Sequence, residues 1–285
     1  MSRLHDAGLA GRWYPRQPSE LAAEVDRLVE GPAVSGTTAL IVPHAGYAYS
    51  GRAAGRAYAA VRGAPIERVV VLAPSHYADF RGACTLSPGA YDGFATPLGA
   101  VAVDARALRE LLQHAAVAAG DAPFAAEHSV EIQLPFLQRV LPGVAVVPLL
   151  IGSLDEDVRD AVAGALAAIL DRRTLLVISS DFTHYGRRFR YLPFPADDLG
   201  RVRRGLQQLD GGAIEAICAG DRQRFTAYVA ATGATICGRR PIELFLTLPV
   251  ARQPGELLLY YTSLDVTGDF EHSVSYAAIR FPSAH

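Results

Sequence analysis

Three histidines stand just beyond runs of residues that should be buried strands. Residues 38–43 are apolar and β-rich and lead straight into His44. Residues 68–73 (Arg-Val-Val-Val-Leu-Ala) are followed by Pro74, Ser75 and His76. Residues 174–179 are followed by Ser180, Asp181, Phe182, Thr183 and His184. Continuous apolar runs of this length fit strands covered on both faces. In open α/β sheets the carboxyl ends of the strands border the crevice where ligands bind. Three imidazoles gathered there could hold a metal ion or move protons, since imidazole does both near neutral pH. A lone histidine after a strand is more often a hydrogen-bonded loop residue. Three at one sheet edge point to a site.

Neighbouring residues extend the candidate set. Asp181, three residues before His184, could orient one of the histidines through a hydrogen bond, or could cap a turn. In His44-Ala45-Gly46-Tyr47-Ala48-Tyr49-Ser50-Gly51 the glycines would let the backbone approach a ligand, with Tyr47 on the pocket; the alternative is an ordinary strand-to-helix turn. Glu127-His128-Ser129-Val130-Glu131 adds two carboxylates four residues apart, which share a face if a helix has begun. Acids there also suit a helix start, and His128 is either a site wall or a structural residue. Cys237 precedes Gly238, Arg239, Arg240 and Pro241, just before an expected helix. That placement should depress the thiol pKa and give it thiolate character; the alternative is a small buried apolar group. Trp13, the single tryptophan, either clamps an N-terminal arm or walls the pocket. Cys84 and Cys218 read as structural, His5 and His285 as solvated, His114 as a polar helix face and His272 as a hairpin surface.

The elements that must position these groups alternate. Strands are expected at 38–43, 68–73, 144–151 and 174–179. Helices are expected at 52–61, 104–116 with Asp104 as N-cap, and 155–170. Residues 127–140 read as a helix that is kinked or starts late because of Pro135. Residues 83–103 should form hairpins, and 197–209, 213–219, 221–230 and 241–248 helices. Strands at 257–264 and 274–281, with Thr267, Gly268 and Asp269 between them, close the chain. The pattern defines an α/β fold: a mostly parallel central sheet covered by helices on both faces, with antiparallel strands at the C-terminal end. No linker or repeat interrupts residues 1–285, so a single domain is expected.

Composition narrows the function. The chain has 285 residues, 27 basic and 29 acidic side chains, and a net charge of −2. This balance disfavours a nucleic-acid or anionic-membrane binder, since both need a basic surface. Every basic residue is arginine, so Schiff-base lysines and a P-loop lysine are excluded. Three widely spaced cysteines are no disulfide framework and fit a reducing compartment. With no apolar leader core and no apolar run long enough to span a bilayer, a cytoplasmic protein is expected.

Residues 10–15, 42–51, 72–76, 127–138, 179–185 and 236–241 together resemble the Memo family (mediator of ErbB2-driven cell motility), whose bacterial and archaeal members are labelled AmmeMemoRadiSam system protein B. The specific stretches are Val-Pro-His-Ala-Gly-Tyr with Tyr-Ser-Gly, Glu-His-Ser-x-Glu-x-Gln-x-Pro-Phe-Leu, and Ser-Ser-Asp-x-x-His-Tyr. The resemblance implies a fold like that of LigB-type class III extradiol dioxygenases, which hold non-haem iron with two histidines and a glutamate. It implies one metal ion on His44, His76 and Cys237, with His184 in the catalytic histidine's place, Asp181 nearby and Trp13 in the pocket. It also implies radical-SAM and Ammecr-type proteins as partners.

Thiolate in place of carboxylate softens the donor set toward copper or iron, with zinc allowed, and adds a ligand that can itself be oxidised. The leading expectation is therefore a metal-dependent oxidoreductase acting on a small molecule, with ring cleavage not carried over from the fold. The alternative is a non-catalytic module that binds a small ligand or peptide on a degenerate dioxygenase scaffold. Zinc hydrolysis with Glu127 as base ranks last, having no HExxH motif.

Overall fold

The structure, a computed structural model, describes residues 3–283; His285 lies outside them. The strands are β1 (Leu4–His5), β2 (Thr37–Val42), β3 (Arg68–Pro74), β4 (Ala83–Thr85), β5 (Gly93–Thr96), β6 (Gly99–Ala102), β7 (Val117–Ala119), β8 (Ala145–Ile151), β9 (Thr174–Ser179), β10 (His184–Gly186), β11 (Glu256–Thr262) and β12 (His272–Pro282). The α-helices are α1 (Pro18–Leu28), α2 (Tyr47–Ala59), α3 (Ala105–Leu111), α4 (His128–Glu131), α5 (Leu134–Val140), α6 (Glu156–Ile169), α7 (Leu199–Cys218), α8 (Arg222–Thr232), α9 (Arg239–Phe245) and α10 (Ser263–Thr267).

The main sheet runs β10-β12-β2-β9-β3-β8-β4-β7, with β11 also on β12. Its centre, β2-β9-β3-β8, is parallel, and nearly every residue there is buried. Valine, leucine and isoleucine fill both faces, and each fully buried side chain of this kind contributes about 1.5–3 kcal/mol. The flanks are mixed: β12 joins β2 antiparallel, as do β10 and β11 to β12. On the other side β4 is antiparallel to β8. A small second sheet, β1-β5-β6, includes the expected hairpin at Gly93–Ala102. Helix α2 packs on β2, β11 and β12 and joins α1 and α5; α9 packs on β3 and β9 and joins α6. The architecture is α/β, a mixed central sheet flanked by helices.

Register sets the site. Val42 pairs with Ser179, and Ile178 with Leu72. The carboxyl ends of β2, β9 and β3 therefore finish side by side, within a few residues of His44, Asp181 and His76.

Several local expectations need correction. Helix α2 begins at Tyr47, not residue 52, because the Trp13 carbonyl takes the Tyr47 N–H at 2.9 Å and steers the chain into its first turn. The 127–140 stretch is two helices, with Pro135 in the first turn of α5, where a missing N–H is harmless. Helix α7 runs unbroken through Gly211 and Gly212; Gly212 makes room for the Tyr228 ring, which a Cβ there would strike at 2.4 Å. Strands β7 and β10 and helix α1 were not anticipated. Asp104 caps α3 as expected, accepting from Ala107 N. Cys84 lies in strand β4, and His5 packs against Tyr91 and Phe94 rather than standing free in solvent. No helix among the described residues is long and apolar enough to cross a membrane.

Candidate metal centre

His44 follows β2 and is buried. Its N–H donates to Asp181 Oδ1 at 2.8 Å, and its ring Nδ1 lies 2.9 Å from Ser179 Oγ. Ser179 donates its only hydroxyl proton to the Ser129 carbonyl at 2.7 Å. Towards His44 it can therefore only accept. Nδ1 must carry the proton, which leaves the Nε2 lone pair free.

His76 reaches the same state by another route. Its N–H donates to Glu127 Oε2 at 2.8 Å, and Nδ1 lies 2.9 Å from Oε1. Ser129 adds its N–H and hydroxyl to Oε1 at 3.0 and 2.7 Å. Burial alone would raise the Glu127 pKa, but the His76 hydrogen bonds and charge and the Ser129 bonds hold it down at about 2. The carboxylate stays ionised, so His76 Nδ1 is a donor and Nε2 is again free. A carboxylate behind a ligating histidine fixes its tautomer and raises its basicity.

His128 opens α4 and stacks on His76, with ring centroids 4.5 Å apart at 19°. One ring nitrogen from each of His44, His76 and His128 lies within 4.8 Å of the other two. Nitrogens bound to one ion at about 2.0–2.1 Å stand about 3–3.5 Å apart, so a contraction of at most about 1–2 Å would seat it. The donor set fits a metal ion. Burial, followed by the other histidines, pushes His44 well below its usual pKa, and burial with His76 takes His128 down to about 4. Both are neutral at physiological pH, the form a metal needs.

The other expected residues fall into place unequally. The Cys237 sulfur sits 3.0 Å from His44 Nε2, accepts from Asp181 N–H at 3.1 Å and lies 3.3 Å from the Asp181 carbonyl. It meets the histidine group through His44 and is not part of the group whose donor atoms lie mutually within 4.8 Å. The expected depressed thiol pKa is corrected: burial, then the Asp181 charge, raise it well above its usual value. Arg239 is exposed and supplies no counter-charge. Gly238 allows this approach, because a Cβ there would lie 2.3 Å from Ser180 Cβ and 2.8 Å from the Ser179 carbonyl.

Asp181 is buried, and that burial raises its pKa against the opposing pull of His184 and the His44 and Ala45 amides. His184 lines the cleft with Nδ1 committed to the Phe182 and Thr235 carbonyls at 3.0 and 3.2 Å. Two carbonyl acceptors put the proton on Nδ1, so its Nε2 is also a free lone pair.

Trp13 contacts the His128 ring at a centroid distance of 4.6 Å. It lines a cleft of about 540 Å³ whose floor is His44, His76, His128, Asp181 and His184. Two pocket expectations are corrected. Tyr47 turns inward, its hydroxyl on the Ile132 carbonyl at 2.9 Å, because the early start of α2 rotates it onto Tyr14 and Phe136. Glu127 has no exposed side chain and spends its oxygens on His76 and Ser129, so it supports the site and cannot serve as the free base of a hydrolase.

Glu127 and Glu131 do not work together. Glu131 accepts from Gly8 N, Leu9 N and the Tyr14 hydroxyl at 3.0, 2.9 and 2.5 Å, holding the arm that carries Trp13. Sequence reasoning missed the roles of Ser179, Thr235 and Glu131, which depend on partners 50 or more positions away. It also missed His272, which borders the cleft together with Arg12, Tyr49 and Arg188.

Fold and site define a class: a helix-covered α/β protein with a histidine-rich candidate metal centre at the carboxyl edge of its sheet. The family described as "Memo-like protein" matches residues 5–280, and the chain belongs to the Memo family. It is 34% identical to a MEMO1 family protein of Methanopyrus kandleri, covering 96% of this chain and 97% of the relative. It is 33% identical to the protein memo-1 homolog of Caenorhabditis elegans, over 95% and 81% of the two chains. It is 32% identical to protein MEMO1 of Xenopus laevis, over 97% of each.

Proposed function

We propose that this Memo-family protein is a metal-dependent oxidoreductase acting on a small molecule in the cleft. His44, His76 and His128 would hold one ion, with the Cys237 sulfur as a fourth donor once loading removes its proton. The carrying observation is the convergence of three imidazole nitrogens within 4.8 Å, with the Nδ1 protons of His44 and His76 already committed to Ser179 and Glu127. The mixed imidazole and sulfur set favours iron or copper, with zinc allowed. The resemblance to LigB-type dioxygenases supports the same choice.

A bound iron or copper ion would supply one-electron chemistry and open positions for a small ligand. The chain supplies the rest. His184 presents a lone pair at Nε2, where it can take a substrate proton. Asp181 ties the His44 backbone to the Cys237 sulfur and so fixes their spacing. Trp13 closes one wall and limits water. Radical-SAM and Ammecr-type proteins would act with it in a shared modification pathway, and a reducing cytoplasm would keep the Cys237 sulfur unoxidised.

Metal analysis and oxygen uptake test the proposal together. Purified protein should carry close to one equivalent of iron or copper, and the paired His44→Ala and His76→Ala changes should remove it. The loaded protein should consume oxygen with a reducing substrate such as a catechol. Stoichiometric metal without turnover would leave a binding module, and a protein that takes up no metal would end the proposal.

A further inference from the structure

We infer that Thr235 is the positioning residue that makes His184 an Nε2 base facing the cleft, which rests on His184 being the site's acid–base group. One residue meets His184 at three points. The Thr235 hydroxyl accepts from the His184 N–H and donates to its carbonyl, both at 2.9 Å. The Thr235 carbonyl, with that of Phe182, takes the ring Nδ1 proton. An imidazole whose Nδ1 faces two acceptors cannot place its proton on Nε2 without leaving both unsatisfied.

The same loop continues, two residues on, to Cys237 beside His44. Thr235 thus joins the proton-handling histidine to the segment that carries the sulfur. The opposite end of the His184 segment is also anchored. Asp210, fully buried in α7, takes the Thr183 hydroxyl at 2.6 Å and its N–H at 3.2 Å, and the Tyr260 hydroxyl at 2.7 Å. His184 is therefore held from both sides: Thr235 grips its own backbone and ring, and Asp210 grips its neighbour.

The test is ¹⁵N NMR of the His184 ring in metal-free protein, with zinc stoichiometry measured alongside. Wild type and Thr235→Ser should both show the Nδ1–H tautomer. Thr235→Val removes the hydroxyl that clamps the His184 backbone and so frees the ring to leave the two carbonyls; it should raise the Nε2–H fraction several-fold while zinc still binds one to one. Thr235→Ala gives the same reading if the valine variant does not fold. A Thr235→Val or Thr235→Ala protein with the wild-type tautomer would overturn the inference, and so would loss of zinc in step with the tautomer, which marks general damage. Because the tautomer is read without metal, failure of wild type to bind any metal would sink the proposed function and leave this result standing.

Discussion

The Cys237 sulfur lies 3.0 Å from Nε2 of His44, although the two residues are 193 positions apart. A thiol whose pKa is raised by burial is a poor ligand until a cation displaces its proton. Metal uptake should therefore release a proton from this residue. Cys237→Ser should keep one equivalent of cobalt(II) but lose the thiolate-to-metal charge-transfer band and about tenfold in affinity. An unchanged cobalt spectrum would remove sulfur from the donor set.

Glu127 binds His76 at both its N–H and its ring, so Glu127→Gln should loosen the histidine and flatten its basicity. Loss of a carboxylate behind a ligating histidine typically weakens metal binding about 10–100-fold. Competition titration against a chromophoric chelator reads this directly. Affinity within twofold of wild type would show that Glu127 serves the fold alone.

Acid should destabilise the metal-free protein in two windows. His128 titrates at about 4 in the folded state and near 6.5 unfolded, and His44 is shifted the same way. Between those values the unfolded chain binds more protons, so stability falls as pH drops from about 6.5 towards 4, by something on the order of 3 kcal/mol for His128. Glu127 acts lower. Its pKa is about 2 folded against 4.5 ordinarily, so its contribution is intact above about 4.5 and is lost as pH falls towards 2. Urea midpoints measured from pH 7 to 3 should decline steadily; a flat profile from 7 to 4.5 would contradict the assignment of two neutral buried histidines.

Glu131 holds the N-terminal arm through three donors, and Trp13 rides on that arm. Glu131→Ala leaves those donors unpaired and should cost about 2–4 kcal/mol. Since Trp13 is the single tryptophan, its emission reports the arm alone. It should shift to the red in the variant before global unfolding. A blue, wild-type emission with lowered stability would place the damage elsewhere.

The parallel core and its histidine edge were legible because β2, β3 and β9 are apolar on both faces, so His44, His76 and His184 could be placed by counting from strand ends. His128 could not be assigned that way. Its place depends on Glu127 reaching 51 positions back to His76, a partnership no local pattern records. Tyr47 read as a pocket residue because small residues flank it, but the Trp13 carbonyl starts the helix early and turns the ring inward. For Cys237 the nearby arginines suggested a thiolate. The adjacent arginines do not face the sulfur; burial first, and then the Asp181 charge, raise the thiol pKa instead.

The most direct test is anomalous diffraction from crystals of protein purified without added metal, recorded on both sides of the iron, copper and zinc edges. The proposed centre predicts one strong peak at about 2.0–2.3 Å from ring nitrogens of His44, His76 and His128 and from the Cys237 sulfur. No peak between these residues after iron and copper have been soaked in, or a peak bound elsewhere, would contradict it.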